Sequence, residues 1–230
     1  MLQSWRELLF LHWRWDPDEI QATLPPGLTV DTHEGDAYLG LVPFLMRNIR
    51  PRFCPPVPGI SNFLEINVRT YVYDQEGRPG VWFYSLDADQ WLAVRVARTF
   101  FNLPYHDARM AARVEASGGE TSVDYRTRRR GEAVEDRLRY AGLGDSRTAK
   151  PGSLEHFLAE RYRLFASDRK ECLWSGRVHH DPYPLRDVRV EEWSDQLLTL
   201  NGFDSSGREP DHALFSEGVH VRIFALERVK

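Results

Sequence analysis

"FLEINVRTYVY", residues 63–73, decides the fold. Leu64, Ile66, Val68 and Val72 fall on one side of an extended chain, with Thr70 beside them. Glu65, Asn67, Arg69 and Tyr71 fall on the other. A period of two sustained over the whole stretch is the mark of a β-strand. "DQEGRPG" follows as a turn and "VWFYSL" (81–86) as a second strand, so 63–86 reads as a β-hairpin. Two readings of the polar face stay open. On an ordinary sheet it is simply the wet side. In a closed barrel it lines a lumen, and a carboxylate, an amide and a guanidinium in register become a pocket wall.

Upstream, "SWRELLFLHWRW" (4–15) is aromatic and leucine-rich and fits helix or strand. "DPDEIQATLPPGL" gives a short helix, with Asp16 as N-cap, Pro17 at the first helical position and Pro25 and Pro26 ending it. "AYLGLVPFLM" (37–46) reads as a strand, and "RPRFCPPVPG" makes a proline-rich loop over 51–59. Downstream, Asp89 is placed to cap a helix, "QWLAVRVARTFF", with a broad apolar face and Arg95, Arg98 and Thr99 on a narrower polar one. Another helix is expected from a Ser153 cap through "LEHFLAERY". The remainder gives strands at "SVDYRTRRRG", "AVEDRLRYAG", "ECLWSGRVH", "RDVRVEEW" and "VHVRIFALERV". Few helices among many strands predict a mainly antiparallel sheet curling into a barrel or cone. No break in composition marks a linker, so residues 1–230 are expected to form one domain.

Composition excludes several functions. Net charge is −4, so no global basic field invites nucleic acid or anionic lipid. Arg6, Glu7, His12 and Arg14 interrupt the apolar N-terminal patches, which leaves neither a signal-peptide core nor a membrane span. Cys54 and Cys172 stand far apart, without disulfide-framework or zinc spacing, and a reduced, cytoplasmic setting is expected. GxSxG, HExxH, P-loop and GxGxxG signatures are absent. The pair His179–His180 does not predict a metal site, because neighbours on a strand face opposite ways and prolines follow. The run "RTRRRG" (126–131) reads as a solvated sheet edge. Neither metal nor cofactor is expected.

The blocks "WRELLFLHWRWDPDEIQATLPPGL", "DAYLGLVPF", "LEINVRTYV", "GVWFYSLDA", "LPYHDARM" and "HHDPYPL" resemble, in order and over most of the chain, the YqjF-like family of bacterial proteins. That family in turn resembles acetoacetate decarboxylase, whose fold is a cone-shaped antiparallel β-barrel around a cavity. The resemblance implies a mainly-β protein with a few peripheral helices. It places a cavity arginine on Arg6 and a cavity acid on Glu65. "ARTFFNLPYHDA" matches the decarboxylase stretch ending in tyrosine-proline-lysine-lysine, and here the chain departs from the pattern. Where the decarboxylase has its Schiff-base lysine and the neighbouring lysine, this chain has Tyr105 and His106. Amine catalysis needs a lysine whose pKa is lowered by burial or by a second cation. Lys150 precedes a proline in a loop, Lys170 sits in the turn "SDRKE" and Lys230 ends the chain. No Schiff base is therefore expected.

The resemblance leaves a cavity lined by Arg6, Glu65, Tyr105 and His106, with Asn67, Arg69 and Arg98 as further ligand contacts. Arginine would clamp a ligand carboxylate. Glu65 and His106 would move a proton, and Tyr105 would donate to an oxyanion. Structural roles compete with these: an Arg6–Glu65 ion pair, Tyr105 as a packed core phenol, His106 facing solvent beside Asp107. The expected function is binding of a small organic acid or similar metabolite. The alternatives are an isomerase, hydratase or lyase working by acid–base chemistry in the same cavity, and a structural protein with a filled lumen. The loop at 51–60 would cover the cavity mouth or form an interface in a homo-oligomer.

Overall fold

A computed structural model describes residues 1–100, 102–168 and 170–229, with the side chains of 96–100 outside that description. The expectations placed on Arg98 and Thr99 therefore lie outside the described residues, as do those on Phe101 and Lys230. In chain order the elements are β1 (Leu2–Trp15), α1 (Pro17–Gln21), β2 (Leu28–Val30), β3 (Ala37–Arg50), β4 (Phe63–Asp74) and β5 (Pro79–Ala88). Then come α2 (Trp91–Phe100), β6 (Tyr105–Ser117), β7 (Glu120–Arg129), β8 (Asp136–Arg147), α3 (Leu154–Ala159) and β9 (Arg163–Ser167). The chain continues through β10 (Leu173–His179), β11 (Leu185–Glu192), α4 (Gln196–Leu200) and β12 (His212–Arg228).

The strands form one sheet that closes on itself twice. One circuit runs β10–β9–β5–β4–β3–β1–β12 and returns to β10. The other leaves β5 through β6, β7, β8 and β11 and rejoins at β12. Only the β5–β6 and β5–β9 pairings are parallel among the described strands. The shared strands β1, β3 and β4 consequently have two covered faces. Toward the first circuit, Phe10, Phe44, Tyr71 and Leu214 belong to a core that also takes in β9, β10 and α3. On the other side, Leu11, Leu39, Ile66 and Val68 pack with Val123, Tyr125, Leu138 and Tyr140 of β7 and β8. The hairpin of β4 and β5 forms as its alternation predicts, and the polar face of β4 turns inward rather than to water.

Local signals account for the helices. Asp16 accepts the Asp18 N–H at 2.8 Å ahead of Pro17, and Ser153 caps α3 by accepting from the His156 N–H. Helix α3 stops at Ala159, two residues short of Arg161. Asp89 is engaged elsewhere than at α2: its Oδ1 accepts the Leu64 N–H at 2.8 Å, and Gln90 Oε1 accepts from Leu92 N at 3.3 Å. The run 126–131 is not an edge. Strand β7 lies between β6 and β8, and Arg129 turns inward to chelate the buried Asp87 through Nε at 2.9 Å and Nη2 at 2.7 Å.

Strand β1 changes face part-way along. From Arg6 to Leu11 it advances five residues while β3 retreats four, from Leu45 to Leu41, a one-residue bulge. Glu7 takes a positive φ of 52° within it. Gln3 and Trp5 face the first circuit before the bulge, whereas Leu8 and Phe10 face it afterwards. Strand β12 changes with it: Leu214 faces that core on one side of Gly218, and Val219 and Val221 on the other. Gly218 has φ 123°, and a Cβ there would lie 1.9 Å from the Trp5 carbonyl oxygen. Only glycine fits this crossing.

Candidate functional site

A cavity of about 500 Å³ fills the first circuit. Its walls are largely apolar, from Trp5 on β1 and Phe63 on β4 round to Phe83, Leu164 and Val178 on β5, β9 and β10. At one end Pro51, Pro55, Val57 and Ile60 of the proline-rich loop meet the start of α2. Phe53 and Trp91 beside them stay exposed. At the other end the lining is Arg69, Ala159, Arg161 and Tyr183.

The polar face of β4 supplies two of the polar groups. Glu65 is fully buried and is the one acidic side chain among the described lining residues. Burial pushes its carboxyl up to about 8; the bond from Tyr105 opposes that, and the nearby charge of Asp87 adds to it. It is therefore predominantly protonated at neutral pH. The Tyr105 hydroxyl donates to Glu65 Oε2 at 2.8 Å, and burial holds that phenol well above its usual range. Tyr105 reaches this point because β6 starts alongside β5, with Tyr105 opposite Leu86. His106, one residue on, lies opposite Asp87 and lines a different groove with Trp82, Tyr84 and Phe165.

Arg69 is a buried cation. Its Nη2 donates to the Leu158 carbonyl at 3.1 Å and to Tyr71 Oη at 3.3 Å, and its guanidinium carbon lies 5.5 Å from the centres of the Phe10 and Tyr71 rings. Among the described residues no carboxylate comes within ion-pair distance of it, and Nε is buried with no hydrogen-bond partner. Trp5 Nε1 and Asn67 Oδ1 are buried and unpartnered as well. Tyr71 spends its single proton on the Leu158 carbonyl at 2.9 Å, so it accepts from His12 Nε2 at 2.7 Å. Burial, then His212 and Arg69, hold the His12 imidazole well below its usual range, which keeps it neutral. Arg161 lines the same end, pairing with Asp31 at 2.6 Å and donating from Nε to the Phe157 carbonyl. Arg163 bonds Ser175 from its place in the wall.

The sequence matches the model of an uncharacterized conserved protein family, DUF2071, over residues 2–220. The chain belongs to that family. It is 39% identical over 211 residues to the uncharacterized protein YqjF of Bacillus subtilis, which covers 91% of this chain and 85% of that one. Solved structures with the same fold include the enduracididine biosynthesis enzyme MppR complexed with pyruvate, with a TM-score of 0.66 at 15% identity, covering all of this chain and 90% of that one. An acetoacetate decarboxylase-like enzyme from Sphingomonas wittichii has a TM-score of 0.66 at 17% identity and covers 100% and 93%. The acetoacetate decarboxylase of Legionella pneumophila has 0.60 at 12%, covering 100% and 88%. At such identities the likeness is one of fold, a mainly-β decarboxylase-like architecture.

Within this DUF2071 chain the structure brings Glu65, Tyr105 and Arg69 to one cavity and sends Arg6 elsewhere. Arg6 precedes the bulge, on the face opposite Trp5, and its Nη2 lies 3.2 Å from His220 Nε2. The anticipated Arg6–Glu65 ion pair is not formed, because the face change at Glu7 separates the two. Asn67 shares the buried face of β4 but is not in the cavity wall. Lys150 and Lys170 are exposed and outside the wall. Sequence reading missed Arg161 by extending α3 through Tyr162, and Arg163 by giving the residues after it no strand; the alternation in "RYRLF" was the available signal. The His180 ring packs at a tilt against Tyr162 and Tyr183, with Nδ1 2.7 Å from the Asp181 carbonyl oxygen. Among the described residues no cluster of three or more His, Cys, Asp or Glu side chains could hold a metal, and no helix is long and apolar enough to cross a membrane.

Proposed function

We propose that this protein binds an organic acid in its barrel cavity, with the carboxylate held at Arg69 and the nearby Arg161. The observation that carries this reading is Arg69 itself: a buried guanidinium with no carboxylate partner among the described residues, in a cavity whose one described acid is kept protonated. An uncompensated buried charge is costly, and an anionic ligand offsets the cost while forming short, charge-assisted hydrogen bonds. The pyruvate held by MppR supports an acid as ligand for this fold. Chemistry through a Schiff base has no support, since Tyr105 and His106 stand where the decarboxylase pattern has lysines and neither described lysine reaches the cavity.

A second reading rests on Glu65. A carboxyl that titrates near 8, with a phenol at 2.8 Å, is poised as a general acid–base beside a bound carbonyl compound. Thermal-shift and calorimetric titration with a panel of organic acids tests the binding reading. Several acids should raise the melting temperature of the wild-type protein, and Arg69→Met should lose the effect while keeping its circular dichroism. Equal binding by the folded variant, or none by the wild type, would overturn it. Borohydride added with a bound oxo acid should leave the mass of every cavity peptide unchanged.

A further inference from the structure

The cavity has two polar poles, and their separation bears on what fills it. Glu65 and Arg69 lie four residues apart on one strand, about 13 Å of rise at the usual 3.3 Å per residue. The Arg69 side chain does not shorten that gap. It bonds Tyr71 and the Leu158 carbonyl, further along β4 and on α3, and so points away from Glu65. Leu86 lies opposite Asn67 between the poles and Phe83 opposite Arg69, and Leu164, Val178 and Ile223 extend the same largely apolar wall, in which Arg163 is the polar member. The volume of about 500 Å³ belongs with pockets for ligands much larger than a metabolite of three or four carbons, which needs only a few water volumes of about 30 Å³ each.

Resting on the reading of Arg69 as the anion site, we infer that the natural ligand is an elongated amphipathic acid, with a carboxylate at Arg69, an apolar body along the wall and, at the Glu65–Tyr105 end, an oxygen able to hydrogen-bond. Two- to four-carbon acids fill one pole and leave the rest empty. A medium-chain or aryl-substituted acid, oxygenated at its far end, matches both poles and the wall between them. The lining beneath the proline-rich loop is apolar through Pro55, Val57 and Ile60, with Arg50 as its charged member, so such a body meets apolar surface on entry while the arginine favours an anion over a cation.

Calorimetry of the full chain against acetate, butyrate, hexanoate, octanoate and decanoate tests this directly. Each methylene buried against the wall should tighten binding about fourfold, with the heat-capacity change growing more negative along the series. Arg69→Met should weaken every member, and decanol should bind far more weakly than decanoate. Arg69-dependent binding of the short acids with no gain along the series would overturn the elongated ligand and leave the anion site standing. Decanol binding as tightly as decanoate would also overturn it, because the body would then be held without its carboxylate. Failure of every acid to bind would remove the anion site and this inference together.

Discussion

Tyr105 donates its hydroxyl proton to Glu65 at 2.8 Å in a cavity that contains no other described acid and is bordered by arginine. The geometry joins the start of β6 to the first part of β4, residues forty apart in sequence. It explains why the carboxyl stays protonated. One neutral donor cannot replace the water lost on burial, and Arg69 points to the far end.

The consequence for stability has a definite sign. Glu65 titrates near 8 in the folded chain against 4.5 for the ordinary carboxyl, so the folded state holds a proton that the unfolded chain has released. Stability therefore falls as pH rises from about 4.5 to about 8 and levels off beyond, by an amount on the order of 4–5 kcal/mol if the whole shift is expressed. Asp136, pushed up to about 6 by burial, contributes only to the lower part of that window. Urea denaturation at pH 6, 7 and 8 should show wild-type stability falling with pH relative to Glu65→Gln, since both proteins share the rise contributed by His12, His180 and His212, whose imidazoles burial keeps neutral. Parallel profiles for the two proteins from pH 6 to 8 would rule out a protonated Glu65.

Much of this site was visible in the sequence, and what was hidden has identifiable causes. Strict alternation placed Glu65, Asn67 and Arg69 together because one face of β4 is polar even though both are buried. Strand β1 defied the same test, since its two faces are both apolar and it changes sides at Glu7. That change removes Arg6 from the cavity, a displacement no residue pattern announces. Strand β6 after Tyr105 is mostly exposed, so "HDARMAARVEAS" shows no apolar stripe and was not read as a strand. Inversely, Arg129 sits in a run of arginines that looks uniformly solvated, and only the three-dimensional pairing with Asp87 singles it out.

That pairing makes the second prediction. Asp87 is fully buried, and Arg129 alone among the described residues forms an ion pair with it. Arg129→Ala leaves a carboxylate in the core without its cation and should cost about 3–5 kcal/mol in urea denaturation. The double variant Asp87→Asn, Arg129→Met removes both charges and should recover a large part of the loss. If the single variant cost under about 1 kcal/mol, the pair would be no more than a surface contact.

Gly218 gives the third. Its φ of 123° is open to glycine alone, and a Cβ would meet the Trp5 carbonyl oxygen at 1.9 Å, so β1 and β12 would have to part where both change face. Gly144, with φ 67° and nothing within 4 Å, isolates the conformational part of the penalty. Gly144→Ala should cost about 1–2 kcal/mol, the ordinary expense of a left-handed residue. Gly218→Ala should exceed about 3 kcal/mol, because the steric clash adds to the strain. Since Trp5 lines the cavity next to this crossing, the same variant should also weaken acid binding in the fraction that remains folded, whereas Gly144→Ala should leave binding untouched. Denaturation midpoints and calorimetric titration of the two variants side by side decide it: equal costs would mean that the crossing relaxes freely, and that the face change of β1 is not pinned at Gly218.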